Sequence, residues 1–464
     1  MLNLFAQGEW NNWYFGGYVG LNFQSNPPAV LLNGGLGSEG GMAVVSDSSG
    51  QLLFYSNGNS IYNRNHTLML NGGNLLTLSG HFLHTVYAAP FIEDTNKYYV
   101  FTVPSNPYTG VFGLHYSVVD MRLDNGLGGV VAGQKNIPVA GGNIVRFVIF
   151  GIRHENKKDF WLLTQEHLST NVNRYLAFLV DKNGIHPPVI SNSSVSVALA
   201  SGSSLFAIKQ SGTKLIGQYG AQILENCSFN AATGVVTPLF TFSFPEPAAT
   251  EFSMCFSWSG NKLYLSQRAS GYQPAEYYLY QFDALLTDSA AFAESLVQVS
   301  KCNYYGVLAL GKDSKIYLTE RNDDLFTFHN DSISVIHNPE LPGKFCNFAE
   351  SAMSLHGREC RDGLPHFLQR YFAYINHTGY CQGMPVSFEP NTWPPPDSLW
   401  WNFGDPASGT ANFSNDSAPE HIFSSAGTFT VQMIVRHVDM RYDTATINIT
   451  IEPQPSPNLG PDRT

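Results

Sequence analysis

One unit recurs along most of this chain: an apolar strand, a turn rich in Asp, Asn, Ser, Gly and Lys, then a second strand carrying an aromatic. It is read at 46–55 (SDSSGQLLFY), 93–101 (EDTNKYYVF), 154–163 (HENKKDFWLL), 209–216 (KQSGTKLI), 257–265 (SWSGNKLYL) and 311–318 (GKDSKIYL). With Leu53, Tyr99, Trp161, Leu215, Leu263 and Ile316 as equivalent positions, the steps are 46, 62, 54, 48 and 53 residues. A period near fifty with no helical periodicity matches one four-stranded sheet per unit. A sheet of that size cannot bury both its faces alone, so its repeats must stack on one another.

Radial stacking around a channel, the β-propeller arrangement, satisfies that requirement and removes exposed sheet edges. Six blades are directly legible. A seventh is expected from residues 11–32 pairing with a late strand near 351–355, which joins the two ends of the ring; seven blades are favoured, with six as the alternative. Trp161, Tyr264 and Tyr317 are read as blade core rather than ligand platforms. The propeller is assigned to residues 8–375.

The pattern breaks near 373–383. Residues 385–390 (PVSFEP), 398–406 (SLWWNFGDP), 419–437 and 443–453 then read as short strands with Gly and Pro punctuation, a smaller β-sandwich spanning 380–453. Alternation of apolar and polar residues over 428–435 suits a strand with one buried face. The proline-rich 454–464 reads as a linker, and 1–7 (MLNLFAQ) as the tail of an export signal, a frayed terminus being the alternative.

The chain carries 25 Lys and Arg against 36 Asp and Glu, a net charge of −11, with no basic cluster. Nucleic acid and anionic membrane surfaces are therefore disfavoured as partners. No apolar run approaches the roughly 20 residues that cross a bilayer. Six scattered cysteines allow 15 disulfide connectivities. Cys346 and Cys360 are the expected pair, with two buried free thiols as the alternative.

No catalytic constellation is legible. Walker, zinc-helix (His-Glu-x-x-His) and nucleophile-elbow (Gly-x-Ser-x-Gly) patterns are absent. The pair His81 and His84 lacks a completing metal ligand. Asp47, Asp181, Asp283 and Asp313 fall in hairpin turns, where Asp bonds its own backbone. The expected channel strands are nearly free of the carboxylate pairs that glycoside hydrolysis needs, and Arg146 is their one charged exception, read as an internal brace. The turn at 46–54 departs from the sialidase Ser-x-Asp-x-Gly-x-x-Trp pattern, because Asp47 directly follows Ser46 and Phe54 stands in place of Trp. No catalytic, metal or cofactor residue is assigned.

Trp401, Asn402, Phe403, Gly404 and Asp405, followed by Phe423, Ala426, Gly427, Phe429 and Val431, resemble the polycystic-kidney-disease (PKD) domain, with its Trp-x-Phe-Gly-Asp turn and later Gly-x-Tyr-x-Val strand. Pro406 replaces the usual Gly. The N-terminal region is similar to the propeller-like domain of large exported surface proteins of Bacteroidetes, through 12–16 (NWYFG), 52–58 (LLFYSNG), 61–66 (IYNRNH), 341–343 (LPG) and 363–372 (GLPHFLQRYF). That resemblance implies an extracellular or outer-surface, non-enzymatic recognition or adhesion protein. Surface glycans or proteins are the implied partners, and the alternative is a secreted protein that binds or degrades polysaccharide. It also implies type IX secretion, as in gliding-motility-associated proteins, through a sorting domain not present in this chain. The segment 457–462 (PNLGPD) resembles the start of a further domain. O-glycans are implied at Asp-Ser/Thr-apolar triplets, here on Ser289, Ser332, Ser398, Ser417 and Thr444.

Overall fold

In the computed structural model, residues 8–454 are described except 48, 78–84, 107–110, 144, 146–147, 157, 169–171, 197–205, 209–211, 220–222, 245–248, 270–275, 322–329, 362, 368–371, 394–395 and 438–441. The chain divides into two compact units, Gly8–Gln369 and Arg370–Thr464.

The first unit is an all-β propeller. Its described residues form seven antiparallel sheets, blades 1 to 7 in chain order, plus a small ribbon. Blade 1 is Asn12–Phe15, Val19–Asn22 and Ala29–Leu31; blade 2 is Ala43–Ser46, Leu52–Ser56 and Ile61–Asn63. Blade 3 is built on Val86–Pro90, Lys97–Thr102 and His115–Asp120, and blade 4 on Phe150–Arg153, Phe160–Leu168 and Val172–Asp181, each completed by two short outer strands. Blades 5, 6 and 7 have four strands each, beginning at Phe206–Ile208, Ala249–Phe256 and Leu308–Leu310. The six repeat positions Leu53, Tyr99, Trp161, Leu215, Leu263 and Ile316 all fall on the second strands of blades 2 to 7.

Adjacent blades bury their faces against each other. Tyr99, Phe101 and Leu114 of blade 3 meet Phe160, Leu162 and Phe178 of blade 4, and Trp161 and Tyr175 of blade 4 meet Leu215, Tyr219 and Cys227 of blade 5. The same surface joins the last blade to the first, where Ala309, Tyr317 and Val335 pack on Trp13, Phe15 and Leu21. Trp161, Tyr264 and Tyr317 are all buried.

Closure differs from the sequence expectation. The late strand near 351–355 is the outer strand of blade 7, Phe348–Ser354, paired with Ser332–Ile336. Residues 363–367 run between blades 1 and 2 instead, with Leu364 and Phe367 packed against Trp13 and Phe15. Three further observations bear on its position. Pro365 bridges Met42 in parallel, at the start of blade 2's inner strand. Phe367 stacks on Trp10 at 5.5 Å. The turn before Asn12–Phe15, closed by Asn11 N–H to Gly8 O at 2.9 Å, matches the turn before the second strand of blade 6, closed by Gly260 N–H to Ser257 O at 2.9 Å. The two ends of the ring do meet beside blade 1, through a segment that a Gly-Leu-Pro sequence does not advertise as a strand.

The second unit is a β-sandwich. One sheet holds Phe372–Thr378, Val386–Trp393 and Glu420–His421, the other Phe413–Ser414, Pro396–Asn402, Gly427–His437 and Tyr442–Ile451. Val431, Met433 and Val435 alternate inward and are fully buried with Phe388, Trp401 and Phe403. Asp405 closes the Trp-x-Phe-Gly-Asp turn from inside. Its carboxylate accepts from Ser424 N–H at 2.8 Å and sits 3.1 Å from His421 Nε2, while Phe403 stacks on the His421 ring at 4.3 Å.

Burial alone would raise the Asp405 carboxyl, but its bonds to Ser424 and His421 outweigh that and hold it below its ordinary 3.8. A folded-state pKa below the unfolded one gives stability that is complete above the unfolded value and is lost as pH falls through the folded value. The sandwich is therefore expected to keep its unfolding temperature from neutral pH to about pH 5 and to lose it steeply below about pH 4. In thermal scans of the full chain, Asp405→Asn should start lower at pH 7 and fall less on acidification; parallel curves for variant and parent would remove Asp405 as the cause.

Candidate functional site

The inner strands of blades 4 to 7 and the closing segment enclose a cavity of about 100 Å³ in the channel, room for a few waters or a small chemical group. Its wall is largely apolar: Trp10, Phe150, Ile152, Met254, Phe256 and Phe367 contribute most of it. Gly151 is required on this wall, because a Cβ there would lie 2.2 Å from the Tyr87 hydroxyl of the preceding blade.

Three side chains on the wall could do chemistry: Arg153, Cys255 and His366. Burial pushes the His366 imidazole down to about 3, so it is neutral near pH 7 and a poor proton acceptor. Its ring meets Phe150 edge-on at 5.1 Å. Burial pushes the Cys255 thiol up to about 12, which keeps it protonated and weakly nucleophilic. Arg153 contributes a guanidinium to the wall. Such a wall can hold a small polar or anionic group, beside a weakly basic imidazole and a thiol kept protonated.

Three glutamates of the propeller, two of them buried, act as struts. Glu225 of blade 5 accepts from Tyr175 Oη at 2.7 Å, Ser193 Oγ at 2.9 Å and the Ser194 amide at 2.6 Å, tying blade 5 to blade 4. Glu320, just past the second strand of blade 7, accepts from Ser334 Oγ at 2.5 Å, Ser351 N–H at 2.7 Å and Ser351 Oγ at 2.9 Å, with Asn330 as a further donor. Glu340 accepts from Ser259 N–H at 2.8 Å and Ser257 Oγ at 3.0 Å, fastening a blade 7 loop to the first turn of blade 6. Glu225 and Glu320 are fully buried, and charge-assisted bonds offset the cost of burying them. The sequence reading missed all three. The available signal was an acidic residue inside an apolar run (223–229, ILENCSF; 315–320, KIYLTE) together with serine doublets elsewhere.

The singled-out residues are dispersed. Asp47 accepts from the Ser49 and Gln51 amides, both at 2.9 Å, and Asp181 and Asp283 accept from the amides two residues on. Asp313 accepts from Tyr317 Oη at 2.9 Å. His81, His84 and Arg146 lie outside the described residues, as do 1–7 and 457–462. Cys346 and Cys360 are not joined: both are buried free thiols. Cys360 Sγ accepts from Glu320 N–H at 3.1 Å and donates to Glu320 O at 3.2 Å, which spends it on holding the closing segment.

Among the glycosylation candidates, Ser417 is exposed, and Ser332 and Ser398 are half-buried. Ser289, also half-buried, donates to Thr241 O at 2.8 Å. The Thr444 hydroxyl is sealed from solvent, so the folded sandwich withholds it from any transferase. Among the described residues, no three His, Cys, Asp or Glu converge on a metal position, and no helix is long and apolar enough to cross a membrane.

No family model matches the chain, and no curated protein does. Solved structures do resemble parts of it. The PKD1 domain of Vibrio anguillarum Epp is 23% identical, with 18% of this chain and 94% of that one covered and a TM-score of 0.16. The periplasmic gluconolactonase of Pseudomonas aeruginosa is 12% identical over 76% of this chain and 98% of that one, TM-score 0.40. The extracellular domain of a hybrid two component system from B. thetaiotaomicron is 12% identical over 96% of this chain, TM-score 0.38; the chain spans 56% of its length.

Proposed function

We propose that this chain is a non-enzymatic recognition or adhesion protein of the cell exterior, with the propeller as binding head and the PKD-like sandwich as spacer. The observation that carries the reading is the chemical quiet of the channel wall, where the imidazole is too weak a base and the thiol too weak an acid to react near neutral pH. These glutamates support it, since each is engaged by three or more donors that rigidify the blades. A rigid ring presenting loops is a recognition scaffold, and many copies on one surface gain avidity through effective concentration. The resemblance to exported surface proteins of Bacteroidetes suggests display by type IX secretion, with surface glycans as the first partners to test.

The deciding experiment incubates the purified chain with plant, algal and host polysaccharides, measuring bound protein and new reducing ends together. Binding without release of sugar is the expected result. Release of reducing ends overturns the non-enzymatic reading.

A further inference from the structure

Size and lining together restrict what the channel cavity can hold. Its volume of about 100 Å³ is well below the roughly 300–1,000 Å³ of sites that enclose drug-sized ligands. An occupant therefore has only a few heavy atoms. Among the described residues that line the cavity, Arg153 supplies a guanidinium and none is Asp, Glu or Lys. An anion entering there meets a positive partner with no carboxylate on the wall to oppose it.

The wall is also graded. Phe150, Gly151 and Arg153 of blade 4 are half-buried and keep contact with solvent, whereas Met254 and Phe256 of blade 6 and Ala309 and Leu310 of blade 7 are buried. The main chain adds polar groups. Among the described residues, Phe150–Arg153, Phe206–Ile208 and Ala249–Phe256 each pair with one strand, the second of their own blade. Along the channel edge, alternate residues of such a strand turn N–H and C=O away from the ladder. Groups on this edge take a partner within reach: Leu308 N–H of blade 7 donates to Ser253 Oγ of blade 6 at 2.9 Å.

We propose that the channel cavity binds a short-chain monocarboxylate of about butyrate size, with its carboxylate on Arg153 and its alkyl tail against Phe150, Met254 and Phe256. A guanidinium receives a planar carboxylate through two parallel N–H bonds, and N–H groups of the channel edge can serve its remaining lone pairs. The tail gains by leaving water for the rings and the thioether. Phosphate or sulfate presents polar oxygen on every side, so the same apolar surfaces would strip water from it without replacing the lost hydrogen bonds. A metal cation finds no carboxylate among these lining residues. No bond is made or broken, so the site is a binding site alone, separate from the loop contacts of the recognition reading.

Calorimetric titration of the full chain with butyrate, its uncharged isostere butyramide, acetate and inorganic phosphate tests this. Butyrate should bind with a Kd of about 1 mM, the range open to so small a ligand. Butyramide and phosphate should be at least about tenfold weaker, and acetate about tenfold weaker for lack of two buried methylenes. Arg153→Gln should weaken butyrate binding at least about tenfold, and Arg153→Lys, which keeps a charge and loses the fork, by about threefold. Unfolding temperatures check that both variants fold; if Arg153→Gln does not, the comparison of butyrate with butyramide on the parent carries the same test. The place is read separately from the Met254 methyl signal in protein with methyl-labelled methionine, assigned through Met254→Leu, which butyrate should shift. Four results each overturn the site: equal binding of butyramide and butyrate, undiminished binding by folded Arg153→Gln, an unmoved Met254 signal at saturation, or no binding of butyrate up to about 20 mM. All four leave the polysaccharide experiment untouched, so this site and the recognition reading fail separately.

Discussion

Replacing Glu320 with alanine is expected to lower propeller stability by about 3–5 kcal/mol, among the largest effects for a residue outside the apolar core. The carboxylate reaches the third and outer strands of blade 7 at once, through Ser334 Oγ at 2.5 Å and Ser351 N–H at 2.7 Å. Truncation leaves the Ser351 amide without its bond to the carboxylate and opens a void at a position 1% exposed. Its backbone matters as well, since Glu320 N–H and O both bond the Cys360 thiol that precedes the closing segment. Glu320→Gln keeps the volume but presents one acceptor oxygen and an amide, and should lose about 1–3 kcal/mol. Urea unfolding of the full chain followed by tryptophan fluorescence gives both numbers. A Glu320→Ala loss below about 1 kcal/mol would show that the serines find other partners and that Glu320 is not a strut.

The contrast between Glu320 and the repeat explains what the sequence could and could not disclose. Leu53, Tyr99, Trp161, Leu215, Leu263 and Ile316 recur because each unit meets the same local demand, a turn followed by an apolar strand between two neighbours. That demand is written within about ten residues and survives in composition. The partners of Glu320 and Glu225 lie 10 to 50 residues away in other strands and loops, mostly beyond the reach of a local pattern. Closure fails for a related reason. Residues 351–355 look like a strand and are one, in blade 7, whereas residues 363–367 contain Pro365 and line the channel because Gly363 lets them pass Gly40, a Cβ there lying 1.9 Å from Gly40 O.

Gly404→Ala should destabilise the sandwich by about 3 kcal/mol or more, and its logic accounts for the motif by which the domain was read. Two penalties act together. Gly404 has φ +69°, which costs an alanine about 1 kcal/mol. A Cβ would also stand 2.2 Å from Thr430 O and 2.9 Å from Thr430 C, and these are backbone atoms in the long strand Gly427–His437, which pairs on both sides. That strand cannot retreat without breaking its ladder, so the turn must move. Movement of the turn drags Asp405 from Ser424 and His421, and Phe403 from the buried cluster with Phe388 and Trp401. The glycine in Trp-x-Phe-Gly-Asp is thus set by contact between one turn and one strand, and the residues on either side of it are anchored in the core. Calorimetry of the full chain should show the loss, with trypsin cutting after Arg436 sooner than in the parent. An alanine variant within about 1 kcal/mol of the parent would mean that the turn has a second stable path past Thr430, and that the motif glycine answers to something other than this contact.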